Sequence, residues 1–300
     1  MGYIITHTSP DWDAIGYAWL MQRYGGATDM DVRFVNTGAP DADLLASAYS
    51  VGDTGREYDP ARRRFDHHHL TGAEANATCA TLQTAQWLVL SRPDVDLTPI
   101  WSIVDLIYAG DTGKPEANQS RAIGIHALLS AVKATRRFDD AGLLRFGYDI
   151  LDLLADGLTA RDIARRTLAD HTVYTSADGL VVGLLNAPQG ATFAAHEAGA
   201  RLVVFASDLP GPTYARGIMR GGEGQDVHVG HLISWLCNDY ECGLPNITEP
   251  VYEEIATWYR HEAGFFAGKG TAKAPCAEPM QCGLIEVAAA IDSAWIREAA

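Results

Sequence analysis

Short apolar runs alternate with segments of helical apolar spacing along the first third of the chain. The apolar runs predict buried strands at 2–6, 32–35, 49–52 and 64–65. The helical spacing predicts helices at 14–22, 41–48, 79–90 and 99–109. Strands that alternate with helices in this way predict a parallel sheet with helices packed on its faces.

The middle of the chain is predicted to be helical throughout, from about residue 122 to residue 171. Within this stretch Thr159 and Asp162 have the spacing of a capping box, with Asp in place of the usual Glu or Gln. A capping box satisfies the first backbone N–H groups of a helix, so the pattern predicts a helix start at Thr159.

A polar segment that contains glycine, 171–179, predicts a domain boundary. Strands are predicted beyond it at 180–185 and 201–206. With 300 residues, the chain is long enough for about two domains. We therefore expect an α/β protein with an N-terminal domain over 1–172 and a smaller α/β domain over 178–300.

The charge of the chain narrows the classes of partner. There are 23 Lys and Arg residues against 38 Asp and Glu residues, a formal net charge of −15. A chain this acidic is not expected to bind a long nucleic-acid duplex through a broad basic face. Anionic lipid would repel it as well. A content of 47% hydrophobic and 20% charged residues also argues against a disordered chain.

Targeting signals and disulfides are not expected. No apolar stretch approaches the length of about 18 residues typical of a membrane span. The first residues carry no basic segment of the kind that opens a signal peptide, so we expect a cytoplasmic protein. Five cysteines, an odd number in a long chain, do not indicate a disulfide scaffold.

Acidic and histidine-bearing turns follow several of the predicted elements. They are His7–Asp13, which includes Asp11, then Gly52-Asp53, Asp66-His67-His68 and Gly110-Asp111. Taken singly, each is more often a turn or a helix cap. Taken together at strand ends, they predict a metal site, because carboxylate and neutral imidazole suit Mn²⁺ and similar ions. Four clustered carboxylates carry a charge that two divalent cations would balance.

This order of motifs resembles the DHH-superfamily phosphoesterases over roughly residues 3–115. The segment that runs from Tyr58 into Asp66-His67-His68 is also similar to DHH-like exonucleases of the melanocyte-proliferating-gene type. The resemblance implies a parallel-sheet DHH domain that is catalytic, followed by a divergent DHHA1-like domain. It also implies an active site in the cleft between the two domains.

By resemblance, two divalent cations would bind per chain, with Mn²⁺ preferred and Mg²⁺ and Co²⁺ as alternatives. The implied ligands are His7 and Asp11 for one ion, Asp13, His67 and Asp111 for the other, and Asp53 for both. Asp53 and His68 would be the catalytic residues, and His68 would face the scissile phosphate.

Substrate-binding residues are predicted in the second domain, where the chain reads Arg216, then Arg220-Gly221-Gly222. Arginine binds phosphate oxygens in pairs, and glycines allow the backbone to approach them. A glycine-rich hairpin with solvated arginines is the alternative. The Ser-Arg-Lys-Lys stretch of family II inorganic pyrophosphatases is missing from the sequence, which argues against pyrophosphate as the substrate.

Two pairs of cysteines in the second domain make a zinc site a further alternative. Cys237 and Cys242, and then Cys276 and Cys282, could bind zinc together with His228 or His231, although their spacings are looser than usual.

The sequence thus predicts a metal-dependent phosphoesterase that acts on a small phosphorylated molecule or a short oligonucleotide. A 3′–5′ exonuclease that trims single strands is one alternative, and a non-catalytic nucleotide sensor is another. The substrate and the oligomeric state stay open, with a homodimer among the possible assemblies.

Overall fold

The computed structural model describes residues 2–37, 41–207, 215–221, 228–243, 247–270, 276, 278, 280 and 282–298. The chain forms two compact units, Met1–Thr159 and Ala160–Ala300. Each unit combines a β-sheet with helices, which confirms the expected α/β class. In the part of the chain that is described, no helix combines the length and apolar character needed to cross a bilayer.

The N-terminal unit is built on a five-stranded sheet. Its strands are β1 Tyr3–His7, β2 Asp31–Val35, β3 Ser50–Gly52, β4 Tyr58–Asp59 and β5 Arg64–Phe65. The strand order is β2-β1-β3-β5-β4, and all neighbours are parallel except β4, which pairs antiparallel with β5 at the edge. The predicted parallel sheet is therefore confirmed, with one antiparallel edge strand added.

Eight helices follow or separate these strands within the described residues. They are α1 Trp12–Arg23, α2 Ala42–Ser47, α3 Gly72–Ala75, α4 Ala80–Ser91, α5 Trp101–Asp111, α6 Asn118–Ile123, α7 Ile125–Thr135 and α8 Asp140–Arg166. The long helical stretch is thus interrupted at Gly124 and between α7 and α8, where Arg136 adopts a left-handed conformation with φ of 51°. Thr159 lies inside α8, so the predicted helix start there is wrong.

Helix α1 is the centre of this unit, because every residue from Trp12 to Met21 is buried. Apolar residues spaced along α1 pack against α4 and α5 in one continuous core. Tyr17 contacts the end of β3 so closely that a Cβ on Gly52 would lie 2.3 Å from its ring. Only glycine fits there, and this close approach packs the middle of α1 against the end of β3.

The C-terminal unit contains a six-stranded mixed sheet. Its strands are β6 Thr172–Thr175, β7 Val181–Leu185, β8 Leu202–Ala206, β9 Arg216–Arg220, β10 Tyr259–Arg260 and β11 Phe266–Lys269, in the order β10-β11-β9-β8-β7-β6. Among these strands β7 and β8 pair in parallel and the other pairs are antiparallel. The helices are α9 Leu168–His171, α10 Ala191–Glu197, α11 Val229–Glu241, α12 Glu249–Ala256 and α13 Leu284–Glu298. The strands predicted at 180–185 and 201–206 are present.

The two units divide within α8, before the boundary predicted from the polar segment 171–179. The last turns of α8 belong to the second unit because Ala164 is buried in one of its apolar clusters, and Arg161 and Arg165 form ion pairs with Glu197.

Candidate metal centre in the N-terminal unit

Three neighbouring parallel strands end at residues with metal-binding side chains. His7 is the last residue of β1, Asp53 directly follows β3, and Asp66-His67-His68 directly follows β5. Because β1 pairs in parallel with β3 and β3 with β5, these ends lie side by side at one edge of the sheet. This edge is where α/β proteins bind ligands.

Two helices bring three more carboxylates to the same edge. Asp11 is the N-cap of α1, and its Oδ1 accepts hydrogen bonds from the backbone N–H groups of Asp13 at 3.0 Å and Ala14 at 3.1 Å. Asp13 lies in the first turn of α1, and Asp111 is the last residue of α5. All of the metal ligands implied by the resemblance are therefore contributed by elements of the N-terminal unit.

The first cluster consists of His7, Asp11 and Asp53, which offer ligand atoms within 4.8 Å of one another. His7 Nε2 lies 3.0 Å from Asp53 Oδ2 and 3.7 Å from Asp11 Oδ1. Ligand atoms held about 2.0–2.2 Å from one cation are about 3–4 Å apart, so this spacing fits a shared ion.

The second cluster surrounds His67. Its Nε2 lies 3.8 Å from Asp13 Oδ2, 3.5 Å from Asp111 Oδ2 and 3.7 Å from Asp53 Oδ1. His67, Asp13 and Asp111 also offer ligand atoms within 4.8 Å of one another. Asp53 thus directs Oδ2 to the first cluster and Oδ1 to the second.

Two buried atoms in the centre are placed to contact a cation. Among the described residues, Asp53 Oδ1 and His67 Nε2 have no hydrogen-bond partner, although both are buried. An unsatisfied buried polar atom costs about 1–3 kcal/mol, and more when it is charged. A bound cation would satisfy both atoms, so the donor set of carboxylate oxygens and imidazole nitrogens fits a divalent metal ion.

The pKa values in the first cluster reflect crowded charges. Burial lowers the pKa of His7, but the contacts of its ring with the carboxylates of Asp11 and Asp53 outweigh burial and raise the pKa to about 11. Burial raises the pKa of Asp11, and its contacts with His7 lower it overall to about 2. The first cluster therefore carries a proton on His7 where a cation would otherwise balance the carboxylates.

In the second cluster the pKa values of the carboxyl groups of Asp13 and Asp111 are raised above the ordinary value. Burial raises the pKa of Asp13 well above its usual range, and the charges of Asp53 and Asp111 add to the increase. Burial also raises the pKa of Asp111, to about 6. Burial lowers the pKa of His67, but Asp53 and the neighbouring carboxylates raise it overall to about 9. A cation at this position would favour the charged carboxylates and the neutral imidazole.

Asp13 also has a structural role. Its Oδ2 accepts a hydrogen bond from the backbone N–H of Ala80 at 2.7 Å, and its Oδ1 accepts one from that of Thr81 at 2.8 Å. These N–H groups open α4, whose own N-cap residue Cys79 makes no side-chain cap. Each carboxylate oxygen keeps a second lone pair, so Asp13 can cap α4 and bind a cation together.

His68 is held by Asp66, a residue of the sequence motif to which no role was assigned from the sequence. His68 Nδ1 donates to Asp66 Oδ1 at 2.7 Å, and the His68 backbone N–H donates to the same oxygen at 3.0 Å. Asp66 is fully buried, whereas the His68 side chain is half exposed. The hydrogen bond to Asp66 raises the pKa of His68 and fixes the orientation of its ring.

The backbone around Asp53 is strained. Asp53 and Arg56 both have a φ of 55°, in the left-handed region that non-glycine residues rarely adopt. Such positions cost about 1–3 kcal/mol and concentrate at functional sites. The Asp53 N–H donates to the carbonyl of Phe65, and the Arg56 N–H donates to Asp66 Oδ2, so the turn is locked to the end of β5.

The substrate-binding residues predicted in the second unit differ from one another in their exposure. Arg216 is fully buried, its Nε donates to Glu254 Oε1 at 2.5 Å, and its Nη1 donates to the carbonyl of Glu278 at 2.7 Å. This burial argues against its binding of substrate. Arg220 ends β9 and is partly exposed, Gly221 lies beside His196, and Gly222 lies outside the described residues.

None of the five cysteines is in a disulfide. Within the described residues, the groups of side chains with metal-binding spacing contain no cysteine. The zinc alternative built on Cys237, Cys242, Cys276 and Cys282 therefore gains no support from the geometry.

No family model matches the chain, and no curated protein matches it in sequence. Among solved structures, the chain is similar to the pGpG-specific phosphodiesterase PggH from Vibrio cholerae. The sequence identity is 12% and the TM-score is 0.34, over 79% of this chain and 89% of that chain. A TM-score this low does not establish a shared fold.

Proposed function

We propose that this protein is a DHH-type, divalent-metal-dependent phosphoesterase. Its substrate would be a phosphodiester or phosphomonoester in a small phosphorylated molecule or a short oligonucleotide. The observation that carries the proposal is the position of Asp53, which directs one carboxylate oxygen toward each of two histidine–carboxylate clusters. A structural acidic turn needs no such shared carboxylate.

Six side chains would hold the metal ions. His7 and Asp11 would bind one ion, Asp13, His67 and Asp111 would bind the other, and Asp53 would bind both. Two divalent ions in such a site supply charge to stabilise a phosphoryl group and lower the pKa of bound water. The mixed oxygen and nitrogen donors favour Mn²⁺, with Mg²⁺ and Co²⁺ as the ions to compare.

His68 would act on the substrate and not on a metal ion. Its Nδ1 is committed to Asp66, so its Nε2 points away from that carboxylate and is free to donate a proton. A protonated imidazole at this position would stabilise charge on the phosphoryl oxygens or protonate the leaving oxygen. The hydrogen bond to Asp66 raises the pKa of His68, so this imidazole holds its proton to higher pH than a free imidazole does.

The test is product release over a substrate panel with each metal supplied in turn. The panel comprises pyrophosphate, cyclic dinucleotides, di- to pentanucleotides, longer single strands and 3′,5′-bisphosphates. The proposal predicts metal-dependent hydrolysis of one of the small substrates, abolished by chelator and by Asp53→Ala. Asp41→Ala, which removes the N-cap of α2, is the matched control and should retain activity.

The same panel separates the alternatives. Preference for longer single strands with release of mononucleotides would identify an exonuclease. Tight nucleotide binding without turnover under every metal would identify a sensor. Full activity of the metal-free protein in chelator would overturn the proposal itself.

A further inference from the structure

A pocket of about 360 Å³ adjoins the metal centre within the N-terminal unit. The carboxylates Asp11, Asp13 and Asp111 form one side of it, and Arg121, Ser130 and Lys133, from α6 and α7, line the pocket as well. The volume falls within the range of about 300–1,000 Å³ that is typical of small-molecule sites. Since the pocket shares three residues with the metal centre, a ligand in the pocket would lie against the metal centre.

Helix α7 is fixed against the metal centre at two points. The Trp12 indole N–H donates to the carbonyl of Ile125 at 2.9 Å, which ties the start of α7 to α1. A Cβ on Gly110 would lie 1.8 Å from Nε2 of His126, so α5 and α7 meet at a position that only glycine allows. This packing places the pocket wall at a fixed distance from Asp111.

The two positively charged side chains that line the pocket differ in the hydrogen bonds that they already make. Arg121 donates to the carbonyls of Ala109, Gly110 and Lys114, so it serves the end of α5. The Lys133 ammonium donates to the carbonyl of Ser9 at 2.8 Å. An ammonium has three N–H groups, so Lys133 keeps donors for a ligand.

The segment 114–145, which contains α6 and α7, differs in charge from the chain as a whole. Between residues 114 and 145 there are six Lys or Arg residues and three Asp or Glu residues, in a chain of net charge −15. Once cations balance the carboxylates of the metal centre, Arg121 and Lys133 leave the pocket positive. A positive pocket beside a phosphoryl-transfer site is complementary to a second anionic group.

We infer that this pocket binds a second phosphate group of the substrate, and that Lys133 is its ligand. The inference rests on the proposed function, and it names what that function left open, namely the part of the substrate beyond the scissile phosphate. Trp12, Ile107 and Leu129 also line the pocket, and their apolar surfaces would pack against the sugar or base between the two phosphates.

The experiment compares one dinucleotide in three forms: with a terminal 5′-phosphate, with a terminal 3′-phosphate, and with neither. Lys133→Met should lower kcat/KM about 10- to 100-fold on one of the two phosphorylated forms, the size of a lost charge-assisted contact. The loss on the unphosphorylated form should be much smaller. Lys133→Arg keeps the charge and should recover much of the activity on the phosphorylated form.

Two control variants separate binding from positioning. Asp140→Ala removes the hydrogen bond from the Ser9 N–H to Asp140 and loosens the same loop without touching the pocket. Any loss it causes should be equal on all three substrates. Arg137→Met removes one positive charge near α7 from a residue that does not line the pocket, and its kinetics should match wild type.

The outcomes are distinct. If Lys133→Met loses activity equally on all three forms, Lys133 only positions the Ser9 loop and the inference is overturned. No loss on any form overturns it too. If the wild-type protein hydrolyses neither these forms nor any substrate of the panel with any metal, the proposed function has failed; direct binding of the phosphorylated dinucleotides by calorimetry, weakened in Lys133→Met, would then still support the pocket.

Discussion

Asp66 Oδ1 accepts two hydrogen bonds from a single residue, one from the Nδ1 of His68 and one from its backbone N–H. The carboxylate is buried at the end of β5 and its other oxygen accepts from the backbone of Arg56. The ring of His68 is therefore fixed in position and in tautomer before any substrate arrives. Under the proposed function, this arrangement would leave His68 to donate a proton while its neighbour His67 faces the carboxylate cluster.

His68→Ala should retain the metal ions and lower kcat about 10²- to 10⁴-fold, the range typical of general acid–base groups. The reason is that Nδ1 of His68 lies 2.7 Å from Asp66 Oδ1, closer than its distance of 3.5 Å from Asp53 Oδ1, so its hydrogen bond goes to a carboxylate that is not a proposed metal ligand. Elemental analysis and steady-state kinetics on the same preparation check both parts. Loss of a metal ion in this variant would show that His68, and not His67, is the ligand.

Asp66→Asn should shift the pH profile. In the wild type, the hydrogen bond to Asp66 raises the pKa of His68, so the protonated form persists to higher pH. Without that carboxylate the pKa falls, and activity should decline at lower pH on the alkaline side. Rate–pH profiles of both proteins measure the shift, and thermal melting checks that the variant is folded. Identical alkaline limbs would exclude His68 as the proton donor.

Asp53→Ala should lower occupancy at both metal positions, whereas His7→Ala should mainly lower one. Asp53 is the carboxylate that lies within 4 Å of a histidine in each cluster. Wild-type protein loaded with Mn²⁺ should approach two ions per chain by elemental analysis. Two tightly held ions in Asp53→Ala would show that this carboxylate does not bridge.

Metal binding should release protons, and the apparent affinity should increase with pH. The pKa values of His7, about 11, and of His67, about 9, are raised in the metal-free protein, so both rings carry protons at neutral pH. Only the neutral imidazole binds a cation. Calorimetry in buffers of different ionisation enthalpy, between about pH 6 and 8, counts the released protons. Release of none would contradict the assignment of these two histidines.

Glu254→Gln should destabilise the C-terminal unit by about 3–5 kcal/mol, because it removes a buried negative charge that pairs with the buried Arg216. Burial raises the pKa of Glu254, but the contact with Arg216 lowers it overall. The ion pair therefore stabilises fully above the ordinary Glu pKa, and its contribution is lost as pH falls through the lowered value. Denaturant unfolding measures both effects.

Glu197→Gln is the matched control, since Glu197 pairs with Arg161 and Arg165 at the surface. Exposed pairs contribute about 0–1 kcal/mol, so this variant should unfold almost as wild type does. A larger loss from Glu197→Gln than from Glu254→Gln would reverse our assignment of the buried pair.

The sequence predicts the candidate site of the N-terminal unit well because its metal-binding side chains stand at the ends of short strands. His7, Asp53 and His67 each stand at or just after a short apolar run, and parallel strands bring their carboxyl ends together. That local rule is enough to place the cluster. It does not assign Asp66 its role, because its hydrogen bond to His68 depends on the turn geometry after β5.

Other features depend on contacts far apart in sequence. Arg216 is predicted to bind substrate because nothing near it in the sequence signals Glu254, its partner 38 residues later. Lys133 belongs to no motif and reaches the pocket only because α7 folds back against α1 and α5. The breaks in the long helical stretch follow from backbone conformations such as the left-handed Arg136, which apolar periodicity does not encode.

The two hydrogen bonds that Asp13 accepts from the start of α4 have a practical consequence for trapping a substrate complex. A substitution of Asp13 would remove the cap of α4 as well as a proposed metal ligand. If such a variant gave no complex, a destabilised fold could not be distinguished from weak substrate binding. His68 is half exposed and caps no helix. A His68→Ala protein is therefore the better starting point for capturing substrate in a folded chain.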